Sequence, residues 1–144
     1  MILHIRHTGI VVSDLSRSIH FYTDLLGFHI ISQVDEPGAF IDKILGLKDT
    51  KLTTVKMSDP KDQKIELLFF HSHEEPHTNL KNIFSTGITH FAVTVEDVDH
   101  TYKTLLGLGI EFINPPVISP DGHAIVTFCK DPDGNYIEIV QTVK

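Results

Sequence analysis

The chain has 144 residues, 41% hydrophobic and 22% charged, a composition that excludes wholesale disorder. Twelve basic against nineteen acidic residues give a net charge of −7 with histidines neutral, which disfavours general binding to nucleic-acid phosphates. A single cysteine, Cys129, excludes an intramolecular disulfide and argues against thiolate-based metal sites.

No apolar run approaches the ~20 residues of a membrane helix, so no membrane partner is expected. Met1–Arg6 reads as the start of a strand and not as a signal peptide, and the expected setting is reducing and cytoplasmic.

In chain order, the first expected strand is 3–12. A helix follows Asp14, with Leu15, Ile19, Tyr22, Leu25 and Leu26 at helical spacing and Gly27 after them. The aspartate suits the N-cap and the glycine the left-handed residue past the C-cap. Strands are expected at 28–34, 51–58 and 64–71, with a short extra helix within Glu36–Gly46. A polar stretch, His71-Ser72-His73-Glu74-Glu75-Pro76-His77, reads as a linker running into a short helix up to Phe84. Beyond it come a strand at 88–95 and a helix after Asp97 carrying Val98, Tyr102, Leu105 and Leu106. Gly107 and Gly109 suit that helix's end. Strands at 110–113, 123–130 and 135–142 complete the chain.

This order repeats: strand, helix, then two or three strands, which is an α+β pattern. His7 and His90 each open a β-rich run, and Asp14 and Asp97 each follow seven residues later. Asp59-Pro60 and Asp131-Pro132 each precede a glutamate, Glu66 and Glu138, that lies seven residues after the aspartate. The His-to-Glu interval is 59 residues in the first half and 48 in the second, so the first half is 11 residues longer. The surplus is expected around Glu36–Gly46.

Glu66 sits in Ile65-Glu66-Leu67-Leu68-Phe69-Phe70, and Glu138 between Ile137 and Ile139. An ionised carboxylate among apolar neighbours is costly unless it is paired or bound to a metal. One glutamate in a strand is commonly half-exposed, and one histidine is commonly satisfied by a backbone hydrogen bond. Matched placement in two repeats favours a ligand set instead: His7, Glu66, His90 and Glu138. Two imidazoles and two carboxylates suit one divalent metal ion such as Zn, Ni, Co, Mn or Fe. Because i, i+2 and i+4 share a strand face, Gly9, Val11, Leu68, Phe70, Ala92 and Thr94 are the candidate substrate-binding wall, with core packing as the alternative for each. His71, His73 and His77 with Glu74 and Glu75 read as a solvated linker or an adventitious metal site. His20 and His100 fall on helices, His123 lies at a turn and is a weaker acid/base candidate, and Cys129 reads as a buried thiol.

The pattern resembles the vicinal oxygen chelate superfamily, which includes glyoxalase I, methylmalonyl-CoA epimerase, extradiol dioxygenases and bleomycin-resistance proteins. The most specific segments are Phe21-Tyr22-Thr23-Asp24-Leu25-Leu26-Gly27-Phe28 and Asp131-Pro132-Asp133-Gly134-Asn135-Tyr136-Ile137-Glu138. The resemblance implies two βαβββ modules, a glyoxalase-type fold with curved mixed sheets enclosing a metal site. One such domain would fill 1–144, with module 1 at 1–71, a linker at 72–87 and module 2 at 88–144. It carries the family's four ligand positions onto His7, Glu66, His90 and Glu138.

Glutamate at the second position, Glu66, resembles the glyoxalase-like members. The implied activity is a metal-dependent lyase or isomerase acting on a small vicinal-oxygen substrate. Glu138 and Glu66 would be its catalytic carboxylates, acting by proton abstraction with a metal-stabilised enediolate. Bacterial glyoxalases of this kind usually carry an arginine four residues after the first ligand and an asparagine four after the second, both for glutathione. Here those positions are Val11 and Phe70, so a substrate not based on glutathione is expected. The alternatives are an Fe(II) extradiol-type dioxygenase and a non-catalytic binding protein of the bleomycin-resistance type. Relatives often pair, so a homodimer is expected.

Overall fold

A computed structural model describes residues 1–74 and 82–143. The chain divides into two compact units, Met1–His77 and Thr78–Lys144. Among the described residues no helix is long and apolar enough to cross a membrane.

The first unit contains β1 (Thr8–Val11), α1 (Leu15–His20) continuing into a π-helical turn (Phe21–Leu25), β2 (His29–Asp35), α2 (Gly38–Leu45), β3 (Leu52–Ser58) and β4 (Lys64–Phe70). The second contains β5 (His90–Thr94), α3 (Val98–Gly107), β6 (Val117–Ile118), β7 (Ala124–Lys130) and β8 (Tyr136–Thr142). Strand order is β1-β4-β3-β2 in one sheet and β5-β8-β7-β6 in the other, the same topology twice. In each, the first strand runs parallel to the last, and the remaining pairings are antiparallel. This is the α+β, twice-repeated βαβββ arrangement of the glyoxalase-type fold.

The paired aspartates have structural jobs. Asp14 caps α1 by accepting from Arg17 N at 3.0 Å, and Asp97 caps α3 by accepting from His100 N at 2.8 Å. The end of α3 is a Schellman motif: Gly109, at φ +86°, donates to Leu106 O, and Ile110 donates to Leu105 O. It is therefore Gly109, not Gly107, that takes the left-handed position. The first helix ends on Gly27 at φ +79°, but its last turn is widened, with Leu26 N donating to Phe21 O five residues back. The widening brings adjacent Phe21 and Tyr22 inward together, 1% and 0% exposed, with rings edge to face at 5.1 Å.

The second aspartate pair closes the turn before each glutamate. Asp59 accepts from Lys61 N and Gln63 N, both at 2.8 Å. Asp131 accepts from Asp133 N at 3.0 Å and Asn135 N at 2.8 Å. The residue three after each aspartate is left-handed, Asp62 at φ 64° and Gly134 at φ 83°. These turns also explain why two strands are shorter than expected. β4 starts only at Lys64 and β8 only at Tyr136, and with Thr8 opposite Ile65 and His90 opposite Tyr136 the residues before His7 and before His90 have no strand to pair with. The strand expected over 3–12 therefore begins at Thr8, and Met1, Ile2, Leu3 and Ile5 are exposed.

The strand expected over 110–113 is reduced to a bridge between Phe112 and Cys129, and the edge strand of this unit falls at Val117–Ile118. Pro115 and Pro116 lack the N–H groups a continuous ladder needs. The extra helix is α2, and it accounts for the unequal halves. Residues 36–51, sixteen of them, join β2 to β3, whereas five residues, 119–123, join β6 to β7. That difference equals the whole 11-residue surplus. Asp42 fastens the insertion by accepting from Asp49 N at 2.9 Å and Thr50 N at 3.0 Å. The helix expected up to Phe84 falls partly on residues 75–81, outside those described; Asn82–Ser85 forms a turn closed by Ser85 N donating to Asn82 O.

Alternation sorts each sheet into two faces. Ile65, Leu67, Val55 and Met57 are buried in the first unit, as are Ile137, Ile139 and Cys129 in the second, on the face that the helix covers. The other face carries Glu66 and Glu138.

Candidate functional site

Parallel pairing places each histidine beside its glutamate despite the long sequence interval. β1 is registered so that Gly9 opposes Glu66, and β5 so that Ala92 opposes Glu138. The histidines lie two residues earlier on the same face. His7 Nε2 stands 3.2 Å from Glu66 Oε2, and His90 Nε2 stands 3.4 Å from Glu138 Oε2. The atoms and their order are the same in both pairs, and both carboxylates are partly buried, Glu66 at 13% exposed and Glu138 at 24%.

Those separations carry chemical information. A charge-assisted N–H to carboxylate bond is about 2.7–2.9 Å. Two donors about 2.1 Å from one ion stand about 3.0–3.4 Å apart at right-angled to tetrahedral geometry. Each pair thus has the spacing of two ligands of one cation, and imidazole nitrogen with carboxylate oxygen suits a divalent transition ion. Each unit holds one such pair. Among the described residues no three histidine, cysteine or acidic side chains gather into one metal-binding cluster.

His90 is oriented from behind. Its Nδ1 lies 3.0 Å from Thr89 Oγ1, and its ring meets Phe128 edge to face at 5.3 Å. The Thr89 contact holds the ring with Nε2 facing Glu138. Glu66 has a further neighbour: Lys56 Nζ lies 3.6 Å from its other oxygen, Oε1. Lys56 opposes Glu66 across β3–β4, and Phe128 opposes Glu138 across β7–β8. Sequence reasoning missed both residues. The signal available was their equal offset, ten residues before each glutamate.

The expected wall residues share these faces. Gly9, Val11, Leu68 and Phe70 lie on the Glu66 side, and Ala92 and Thr94 on the Glu138 side. A Cβ at Gly9 would meet Leu68 Cδ1 at 3.3 Å, so the small residue lets β1 lie close against that side chain.

The remaining histidines are otherwise engaged or exposed. His71 Nε2 is 2.7 Å from Thr53 Oγ1, whose hydroxyl donates to Asp35 Oδ1 at 2.6 Å. Nε2 must then be the protonated nitrogen of His71. His73 Nδ1 is 2.8 Å from Ser72 Oγ. Glu75 and His77 lie outside the described residues. His20 pairs with Asp24 at 2.6 Å on exposed helix surface, and that hydrogen bond holds the Asp24 carboxyl below its ordinary range. His100 and His123 are exposed. Cys129 is fully buried, and burial pushes its thiol up to about 12.

Comparison with known proteins agrees with this architecture. A Synechocystis sp. protein named "Probable lactoylglutathione lyase" is 29% identical over 138 residues, covering 94% of this chain and 93% of that protein. A Haemophilus influenzae lactoylglutathione lyase is 26% identical over 140 residues, covering 96% and 93%. Among solved structures, a glyoxalase family protein from Bacillus cereus superposes with a TM-score of 0.90 at 20% identity, covering 100% of this chain and 97% of the other. The family model described as Glyoxalase/Bleomycin resistance protein/Dioxygenase superfamily matches residues 4–139, and the chain belongs to that superfamily.

Proposed function

We propose that the chain is a divalent-metal-dependent, glyoxalase-like lyase or isomerase acting on a small substrate with vicinal oxygens. The observation that carries this reading is the twice-repeated His Nε2 to Glu Oε2 pair at 3.2 and 3.4 Å. His7, Glu66, His90 and Glu138 would hold the ion. A dication bound there supplies polarisation of two neighbouring substrate oxygens, which acidifies the C–H between them.

The protein's own part is proton handling and positioning. A carboxylate oxygen of Glu138 or Glu66 takes the proton from one carbon and returns it to the neighbouring carbon, or to the other face of the same carbon. No oxidant or co-reactant enters that balance. Thr89 and Phe128 fix the His90 ring. Val11 and Phe70 offer an apolar wall where relatives using glutathione are expected to present polar groups. The relatives named lactoylglutathione lyase support the reaction class, and these two residues argue for a different substrate. Modules at 1–71 and 88–144 joined by a linker at 72–87, a reducing cytoplasmic setting, and pairing of two chains belong to the same reading.

Metal analysis of the purified chain tests it. Wild type should carry close to one transition ion per site, and Glu66→Gln and Glu138→Gln should each lower occupancy with the circular dichroism spectrum unchanged. Unchanged metal content in both variants would overturn the assignment. Oxygen uptake confined to anaerobically loaded Fe²⁺ protein would move it to ring-cleaving dioxygenation.

A further inference from the structure

Among the described residues α2 has no counterpart in the second unit, and its apolar side chains are covered on one side only. At helical spacing Phe40, Ile41, Ile44 and Leu45 span an arc of about 140°. Ile41, within that arc, is 5% exposed, whereas Phe40 and Ile44 are each 56% exposed and Leu45 is 44% exposed. Phe40 and Ile44 stand one turn apart on the same side of the helix. Charge is ordered along the same segment. Asp35 and Glu36 precede the helix, while Lys43, Lys48 and Lys51 lie in or past its last turn against a single Asp49. Asp42, at the middle, is tied back to the loop that follows, where it accepts from Asp49 N at 2.9 Å and Thr50 N at 3.0 Å.

We propose that this face of α2 is the contact between two copies of this chain, packed antiparallel about a two-fold axis that passes beside residue 42. Residues equidistant from the axis then meet, each pair twice. Phe40 lies against the partner's Ile44, Ala39 against the partner's Leu45, and Glu36 at the rim faces the partner's Lys48. Glu36 Oε1 accepts from Thr54 Oγ1 at 2.7 Å, which holds that carboxylate at the entrance of the helix. The order of charge is what selects a second copy as the occupant: acids before the helix and bases at its end repel in parallel packing and pair in antiparallel packing. With the Asp42 carboxylate drawn to its own loop, no two like carboxylates meet at the axis. One helix pair is at the small end of specific interfaces, so the association is a concentration-dependent equilibrium. This assigns a surface to the pairing of two chains and does not rest on the metal reading.

Sedimentation equilibrium of the full chain, from micromolar to sub-millimolar concentration, tests it on wild type, Phe40→Asp, Ile44→Lys and Lys48→Glu, each checked for folding by circular dichroism. Wild type should pass from monomer to dimer over that range. Phe40→Asp and Ile44→Lys each put a charge into the apolar contact twice and should each weaken the dimer by at least about tenfold. Mixed in equal amounts, these two variants should pair again, because the introduced carboxylate of one chain faces the introduced ammonium of the other while the remaining Phe40 and Ile44 keep their contact. Lys48→Glu, at the rim, should weaken the dimer by about threefold. Wild type sedimenting as a monomer throughout overturns the proposal and gives the face to another partner. A dimer unchanged in both Phe40→Asp and Ile44→Lys overturns it by placing the contact elsewhere. Loss in both variants without recovery on mixing overturns the antiparallel pairing of Phe40 with Ile44. Metal content enters none of these outcomes, so their failure leaves the metal reading to its own test.

Discussion

The two units share strand order, helix caps, turn closure and a His–Glu pair, yet they surround that pair differently. In the second, His90 lies inside the β5 ladder and is braced by Thr89 and Phe128. In the first, His7 precedes the first laddered residue, Thr8, and the glutamate is shared with Lys56. A duplicated scaffold thus fixes where the donor atoms fall, whereas the residue one strand over decides whether the neighbourhood is rigid and neutral or adaptable and charged. Repetition of backbone does not make the halves chemically interchangeable.

Mutations at matched positions sharpen that contrast. The largest effect is expected at the proposed ligands: Glu138→Gln and Glu66→Gln should each weaken Co²⁺ by at least about 100-fold, above the usual cost of losing an outer-shell partner. Equilibrium dialysis would show it, and equal affinity in wild type and both variants would break the comparison at its root. Next come the turns. Asp131 is buried and also accepts from Asn135 Nδ2 at 2.9 Å, whereas Asp59 has only its two backbone donors among the bonds that close its turn. Asp131→Ala should cost about 2–3 kcal/mol and Asp59→Ala about 1–2 kcal/mol in urea unfolding. The reverse order would mean that the second turn is held by something else.

The helix caps should be closer to equal: Asp14→Ala and Asp97→Ala each remove one side-chain bond to the third residue on, worth about 1 kcal/mol. Thermal melts of the pair measure it. Smallest of all is the response of Cys129. With its thiol raised from 9.0 to about 12 by burial, the folded protein should leave a thiol reagent unreacted at pH 8 and react fully in guanidinium. The sign for stability follows: the unfolded chain releases this proton above about pH 9 and the folded chain does not, so stability falls with pH between 9 and 12. Prompt reaction at pH 8 would show that β7 opens locally.

Much of this was legible because the informative residues act locally. An N-cap aspartate, a turn aspartate and a glutamate among aliphatic neighbours each signal themselves within a few positions, and their repetition exposes the duplication. Strand ends were less legible, since β1 and β5 stop where their partners stop, and that depends on turns more than fifty and forty residues away. The widened turn at Phe21–Leu25 escaped because helical spacing admits Tyr22 to the buried stripe but not its neighbour Phe21. Lys56 escaped for a similar reason: only the β3–β4 register brings it opposite Glu66. The approach of His to Glu within each unit needed the parallel pairing, which no local pattern announces.

The five-residue turns that precede the glutamates have a consequence for how chain length can vary. Side chains alternate with a period of two, so one inserted or deleted residue between Asp59 and Lys64 would slip the register and send the carboxylate to the opposite face, into the space of Ile65 and Leu67. The same change in the connection between β2 and β3 moves nothing that pairs. Insertions and deletions are therefore tolerated on one side of the β3 strand and forbidden on the other, which is where the two halves do and do not differ in length.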